Sequence, residues 1–362
     1  MNFARSNKTK TQIKKVVWIT LGWTLVAIFQ FFSSYATLTI MKCDLTDLDP
    51  MIPFKGSLLT GVLAGILGGS GVVFLWEKWL RTKNYGRALF SIFISYNLIY
   101  LAVAIPSGLF FHTATLALPI YDAQVWEALV THLLSLPQLQ SYLFWLFVVI
   151  ATLIILLVND KYGPGVFQSF LLGKYFHPKK EERIFMFLDL RSSTSIAEKL
   201  GEELYFNFLK DVFKHATPGI LYYKGEVYQY VGDEIVISWK TDRGTENNNC
   251  LHCFFEVQQR LEQKASYYLE TYGIIPEFKA GLHYGHVMAG EIGVVKRDIA
   301  FSGDVLNTTS RIQDKCNELG VNILLSKFLV DKLTLPTNSF QAKEIGDMSL
   351  RGKEGKVMLF TV

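Results

Sequence analysis

Four stretches of this 362-residue chain are long, apolar and free of Asp, Glu, Lys and Arg, and they limit its folding options more than anything else in it. Hydrocarbon offers no water to backbone N–H and C=O groups, so only a segment that satisfies them internally can cross it. At about 1.5 Å per residue, a helix of roughly 20 residues covers the ~30 Å core of a bilayer. Residues 16–40, 56–76, 88–111 and 141–158 each read as such a helix, and after Asn159 nothing comparable recurs. The whole chain is 50% hydrophobic and only 19% charged, against about a quarter charged in ordinary soluble domains. With 10 Pro and 4 Cys, disordered, collagenous and disulfide-stapled classes are excluded as well.

Basic residues fix the expected orientation. The leader holds Arg5, Lys8, Lys10, Lys14 and Lys15, and residues 78–87 add Lys78, Arg81, Lys83 and Arg87. Lys161, Lys174, Lys179 and Lys180 follow the fourth stretch, whereas residues 112–140 contain no Lys or Arg. The expectation is an integral protein of the cell (inner) membrane, in contact with lipid, with both termini cytoplasmic. No cleavable signal peptide is expected, because the first stretch is long and no small-residue cleavage site follows it. The net charge of +4 reflects this inside-positive bias and not a nucleic-acid partner. Residues 122–141 carry apolar positions at helical spacing, as a helix that lies along the outer interface or covers the bundle does. His112 and His132 read as packing or interfacial polar groups before haem or metal ligands, and Cys43 as a free thiol.

From about Glu181 the texture changes to short β-runs between helical patterns. Residues 184–190 (IFMFLDL) are an apolar run ending in a carboxylate, the pattern of a buried central strand. Ser and Thr then open a helix, which the spacing carries through residues 202–223. Residues 226–239 (EVYQYVGDEIVISW) alternate about Gly232-Asp233, a hairpin signature. A long helix is predicted over 248–272, then a strand at FKAGLHYG, a Gly-punctuated turn at HVMAGEIG and a helix at DVLNTTSRIQDKCNELG. Two final strands flank a Gly-containing turn. Strand, helix, hairpin, helix, strand is the order of an α+β ferredoxin-like unit with additions. The organisation read from the sequence is therefore a four-span transmembrane anchor or sensor at 1–158, a linker at 159–182 that Pro164 and Gly165 keep from being one continuous helix, and an α+β domain at 183–362.

Two carboxylates, Asp189 at the end of the first strand and Asp233 at the hairpin tip, meet at one sheet end if their strands are neighbours. Paired hard oxygen ligands suit Mg²⁺ or Mn²⁺, which take their remaining ligands from water and substrate phosphates. Leu190-Arg191-Ser192-Ser193-Thr194 then leads into a helix start, where free N–H groups and the helix dipole favour an anion. A metal site beside a phosphate cradle implies a nucleoside triphosphate. Asn307 and Arg311 lie four apart on one helix face, and an amide beside a guanidinium fork steadies charge on a phosphoryl group. Cys250 and Cys253, a single C-x-x-C, read as helix packing before zinc, and His283 and His286 as local structure.

FLDLRSSTSIAEKLG, YQYVGDEIVISW, KAGLHYGHVMAGEIG and FSGDVLNTTSRIQ, in this order and spacing, resemble the catalytic domain of the class III adenylate/guanylate cyclases over about 181–362. The resemblance implies a phosphorus–oxygen lyase that closes a nucleoside triphosphate to its 3′,5′-cyclic nucleotide with two divalent ions per site. It makes Asp189, Asp233 and the Leu190 carbonyl metal ligands, Asn307 and Arg311 transition-state residues, and Arg351 a triphosphate contact. It places Gln229 and Ala300 at the base-reading positions, where Gln departs from the usual Lys or Glu and Ala from the usual Asp, Thr, Ser or Cys. An amide pairs with either purine edge, so ATP is favoured over GTP only by analogy with bacterial cyclases making cAMP. The family works as a head-to-tail dimer, which implies a homodimer here. The rival readings are a diguanylate cyclase, suggested by Val-Gly-Asp-Glu-Ile, and a decayed cyclase domain kept as a dimerising or nucleotide-sensing module of a membrane receptor.

Overall fold

The computed structural model describes residues 2–40, 49–162, 173–295, 297–335, 340–353 and 355–362, and the chain divides into two compact units, Met1–Tyr162 and Gly163–Val362. Cys43, Pro164 and Gly165 lie outside the described residues.

The first unit is helical: α1 (Asn2–Ile40), α2 (Met51–Ser70), α3 (Glu77–Thr82), α4 (Tyr85–Leu116), α5 (Ala123–Leu133) and α6 (Leu136–Tyr162). A π-helical turn at Gly71–Trp76 joins α2 to α3. Four helical stretches, Gln12–Ile40, Met51–Leu80, Gly86–Leu116 and Leu136–Asn159, are long and apolar enough to cross a membrane. Without a hydrophobic force between helices in lipid, close backbone approach must hold such a bundle. Gly61 and Gly65 provide it, since a Cβ on either would stand 2.8 Å from Thr24 Cα or 2.5 Å from Thr20 Cα. Indole N–H groups find partners across helices: Trp23 donates to Thr152 Oγ1 at 3.1 Å and Trp76 to Ser95 Oγ at 2.7 Å. The amphipathic segment forms α5, capped by Asp122 on Gln124 N at 2.9 Å and burying Val125 and Leu129. Its last residues, expected to continue the same helix, open α6 instead, after a break at Ser135. The His112 and His132 rings meet edge to face with centroids 5.4 Å apart.

The second unit is a mixed eight-stranded sheet with helices on both faces. Its strands are β1 (Lys179–Leu190), β2 (Glu226–Val231), β3 (Glu234–Lys240), β4 (Phe278–Ile292), β5 (Asp298–Ser302), β6 (Ile323–Ser326), β7 (Lys343–Ser349) and β8 (Lys356–Thr361). Their order is β2-β3-β1-β4-β6-β8-β7, with β5 on the far part of β4; β4 and β6 run parallel and the other pairs antiparallel. The helices are α7 (Ser193–Leu200), α8 (Glu202–Tyr222), α9 (Thr241–Thr245), α10 (Asn249–Glu262), α11 (Ala265–Tyr272), α12 (Asp304–Leu319) and α13 (Lys327–Val330).

Strand alternation divides β1 between two cores. Ile184, Met186 and Leu188 join Phe208, Val257 and Tyr268 of α8, α10 and α11 in the larger one. Phe185 turns to the opposite face, with Val236, Val287 and Val305 of α12. Asp189 shares the parity of Phe185 and so lies on the α12 side. Cys250 and Cys253 sit in the larger core, where burial raises both thiols, that of Cys250 to about 12.

Three local expectations are corrected. The first helix of this unit breaks at Gly201 into α7 and α8, and the predicted helix over 248–272 breaks between Glu262 and Ala265. HVMAGEIG is no turn: β4 runs unbroken for 15 residues, because its second half pairs with β5 from Met288↔Ser302 to Ile292↔Asp298.

Candidate active site

Antiparallel pairing of β1 with β3 sets Asp189 directly across from Glu234, so Asp233, the residue before it in the two-residue turn, stands beside Asp189 at the sheet end. The Asp233 carboxyl lies near enough to disfavour the charge on Asp189. On the other side β4 sets Lys279 across from Asp189, and its ammonium meets Asp189 Oδ2 at 3.0 Å. The same oxygen accepts from Gln313 Nε2 of α12 at 2.8 Å. Burial, assisted by Asp233, raises the Asp189 carboxyl above the ordinary range despite Lys279. Burial and the charges of Asp189 and Asp233 push Glu234 up to about 7.

Three carboxyls therefore crowd one partly buried sheet end against one lysine, a charge balance that a divalent cation corrects. The donor set fits such an ion. Among the described residues no group of three or more His, Cys, Asp or Glu side chains is arranged to hold a metal, so an ion bound by Asp189 and Asp233 would draw further ligands from backbone, water or substrate. Leu190, the expected carbonyl ligand, is the last residue of β1, with its side chain buried.

The linkage sign follows from Glu234. Between its unfolded value of 4.5 and its folded value of about 7, the folded state holds a proton that the unfolded chain has lost, so stability falls as pH rises through that window. We expect the chain stripped of divalent ions to melt at lower temperature at pH 8 than at pH 5.5, and Mn²⁺ to raise the midpoint more at pH 8. An equal Mn²⁺ shift at both pH values in thermal scans would contradict this.

Ser192 stands at the start of α7 with φ +54°, a left-handed conformation uncommon outside glycine, and its side chain makes no capping bond. The first-turn N–H groups that Ser193 and Thr194 help supply lack partners within the helix by construction. Arg191 is committed elsewhere: its guanidinium donates to the Val321 carbonyl at 2.7 Å and to the Asn322 side chain, and it faces Glu277 at 3.9 Å. That arrangement ties the exit of β1 to the loop before β6.

Asn307 and Arg311 lie one turn apart on α12. A Cβ on Gly352 would stand 3.4 Å from Arg311 Nη2, so the guanidinium lies beside the turn that presents the exposed Arg351. Lys353 fastens that turn to α12 through Asp304 Oδ2 at 2.9 Å and Thr308 Oγ1 at 2.8 Å. Among the described residues no hydrogen bond or ion pair joins Asn307 or Arg311 to Asp189 or Asp233.

Gln229 is exposed on β2 at a bulge, and Ala300 is half-buried on β5. Their chain neighbours touch, with Tyr228 and Phe301 ring centroids 5.0 Å apart. His283 is buried against Ser326 Oγ at 2.7 Å, and burial lowers its imidazole to about 4. His286 is exposed near Glu182.

Lys279, Gln313 and Lys353 did not emerge from the sequence as site residues. Their signal lies in strand register and helix docking, which one sequence does not print.

Sheet order, paired aspartates and the Asn–Arg helix define a nucleotidyl-cyclase fold, and the chain belongs to the adenylate and guanylate cyclase catalytic domain family, which matches residues 177–362. It is 34% identical over 227 residues to adenylate cyclase 2 of Rhizobium meliloti, covering 63% of this chain and 62% of that protein. It is 30% identical over 185 residues to an adenylate cyclase of Anabaena cylindrica, covering 49% of this chain and 36% of that one. This chain thus spans less than two thirds of either relative's length. A bacterial light-regulated adenylyl cyclase shares the fold at 20% identity and a TM-score of 0.52, over 63% of this chain and 65% of its own.

Proposed function

We propose that this chain is a membrane-anchored adenylate cyclase that converts ATP to 3′,5′-cyclic AMP and pyrophosphate at sites shared between two copies. The observation that carries the reading is the meeting of Asp189 and Asp233 beside the start of α7. The anchor would be residues 1–158, the linker 159–182 and the catalytic domain 183–362. Four apolar helices support insertion in the cell (inner) membrane, and the basic residues favour cytoplasmic termini.

Asp189, Asp233 and the Leu190 carbonyl would hold two Mg²⁺ or Mn²⁺ ions. Such ions, when bound, lower the pKa of the ribose 3′-hydroxyl and offset triphosphate charge. The first-turn amides at Ser192, Ser193 and Thr194, with Arg351, would hold the phosphates, and Arg191 serves as a positioning residue. The 3′-hydroxyl gives its proton to water, its oxygen bonds to the α-phosphorus, the bond to the bridging oxygen breaks, and pyrophosphate carries away the displaced electron pair. Asn307 and Arg311 would steady the charge that develops on the α-phosphoryl group.

Two observations support a shared site. Among the described residues the Asn–Arg pair makes no hydrogen bond or ion pair with the aspartates, which leaves it available to complete the site of a second copy. Val294 and Val295, at the tip between β4 and β5, are 93% and 103% exposed with Ile292 beside them, an apolar tip of the kind partner chains cover.

Given equimolar ATP and GTP with Mn²⁺, the purified chain is expected to yield cyclic AMP in excess of cyclic GMP. Gln229 and Ala300 would leave that preference weaker than a charged reader gives. Predominant cyclic GMP would reassign the substrate, a dinucleotide product would support a diguanylate cyclase, and no turnover at saturating Mn²⁺ would support a decayed sensing module.

A further inference from the structure

The two strands that carry Gln229 and Ala300 share no backbone ladder. In the sheet order β2-β3-β1-β4, with β5 on the far part of β4, other strands stand between them. Four strand spacings amount to about 19 Å across a flat sheet. Yet the Tyr228 and Phe301 rings lie 5.0 Å apart, and Tyr228 Oη accepts from Phe301 N at 3.3 Å. Side chains, not the ladder, therefore set how far Gln229 stands from Ala300.

Arg183 is at the centre of those side chains. It shares the parity of Phe185 and Asp189 on β1, so it points to the α12 side, and it is only 2% exposed. Its guanidinium carbon lies 4.4 Å from the centre of the Phe301 ring. Nη1 donates to Glu226 Oε2 at 2.8 Å and to Ser238 Oγ at 3.0 Å, and Nε donates to Glu181 Oε2 at 2.9 Å. Glu226 opens β2, and Phe301 follows Ala300 on β5. One planar group thus grips both strands close to Gln229 and Ala300. A buried ion pair of this kind adds little stability over apolar packing of the same volume. What it adds is fixed geometry, since the guanidinium fork and its stacking plane accept few orientations.

The grip extends to the chain that enters this unit. Tyr175 is buried and donates to Glu181 Oε1 at 3.0 Å. Its carbonyl accepts from Glu291 N at 3.0 Å, on the part of β4 that pairs with β5.

We infer that Arg183 is a positioning residue for purine choice. It sets the separation of Gln229 from Ala300 through Glu226 on β2 and Phe301 on β5, while Glu181 and Tyr175 fix its own orientation. The inference rests on the reading of Gln229 and Ala300 as the base-reading pair, and it needs no contact between Arg183 and nucleotide.

The full chain is assayed with ATP and GTP separately. The ratio of the two is read from kcat/KM, and again from the dissociation constants of the N-methylanthraniloyl nucleotides, which do not depend on turnover. Arg183→Lys keeps the charge but loses the fork and the stacked plane. It is expected to change the ratio by roughly three- to tenfold, the scale of one displaced hydrogen bond. The change should lie in KM, with kcat for ATP within about twofold of the unmodified chain. Phe301→Leu leaves every ion pair of Arg183 in place and should move the ratio in the same direction. Arg243→Gln is the control: Arg243 meets Glu226 Oε1 at 3.7 Å from the exposed surface, and its loss should leave the ratio unchanged. Gln229→Ala distinguishes the inference from the reading beneath it. If Gln229→Ala moves the ratio while Arg183→Lys and Phe301→Leu weaken both nucleotides equally, Arg183 is merely structural and the inference is overturned. If Gln229→Ala leaves the ratio unchanged, the base-reading assignment falls and takes the inference with it.

Discussion

Asp189→Asn is expected to lower cyclic nucleotide synthesis by roughly a thousandfold or more, because a bound ion contributes several kcal/mol of charge stabilisation and each ~1.4 kcal/mol is tenfold in rate. The substitution keeps the side-chain volume and an oxygen able to accept from Gln313, now at 2.8 Å. It removes one of the charges that hold Glu234 at about 7. The fold should therefore survive, with the Mn²⁺-induced rise in melting temperature lost and membrane insertion unaffected. Full activity in this variant would end the two-metal proposal.

The same variant tests whether sites are shared. Arg311→Ala leaves both aspartates in place but removes the guanidinium beside Gly352. If each site takes its carboxylates from one copy and its Asn–Arg pair from the other, a dimer of the two variants has one doubly damaged site and one intact site. Random pairing of equal amounts gives about half mixed dimers in a two-fold assembly, so activity should recover to about a quarter of the unmodified level. Each variant alone stays near background. Failure of coexpressed chains to recover activity would place all the groups of a site on one copy.

What could be read from the sequence divides along physical lines. Periodicity and missing charge exposed the four long helices, since hydrocarbon burial demands an unbroken apolar run that few other constraints imitate. The run 184–190 and the hairpin at Gly232-Asp233 were likewise legible, because each strand's alternation is local. The meeting of Asp189 with Asp233 could be stated only conditionally, for it depends on β3 being the neighbour of β1. Lys279 is a lysine in an apolar strand until β4 sets it across from Asp189. Arg191 looked like an anion ligand from its place after the acid, but the loop before β6 comes close enough to take its guanidinium. HVMAGEIG looked like a turn because its glycines were read locally, whereas pairing with β5 extends it.

Gly281→Val should cost more stability than any site substitution and should take the activity with it. Gly281 lies mid-strand on β4, directly across from Phe187 of β1. A Cβ there would stand 2.4 Å from Gln313 N and 2.7 Å from the Thr309 carbonyl oxygen. Both are backbone atoms of α12, so no rotamer change relieves the clash and the helix itself must move. Overpacking a close-packed core costs roughly 1–3 kcal/mol, and a branched side chain against backbone belongs at the upper end. At about 2–4 °C per kcal/mol for a unit of this size, the melting midpoint should fall by roughly 6–12 °C. The displaced helix carries Asn307 and Arg311 and brings Gln313 to Asp189, so turnover should drop at temperatures where the fold persists. Gly355→Ala is the control, since a Cβ there meets nothing within 4 Å, and its midpoint should move by less than about 1 °C by the small effects of surface changes. Equal midpoints for the two variants in thermal scans would show that α12 does not rest on β4 as closely as its contacts require.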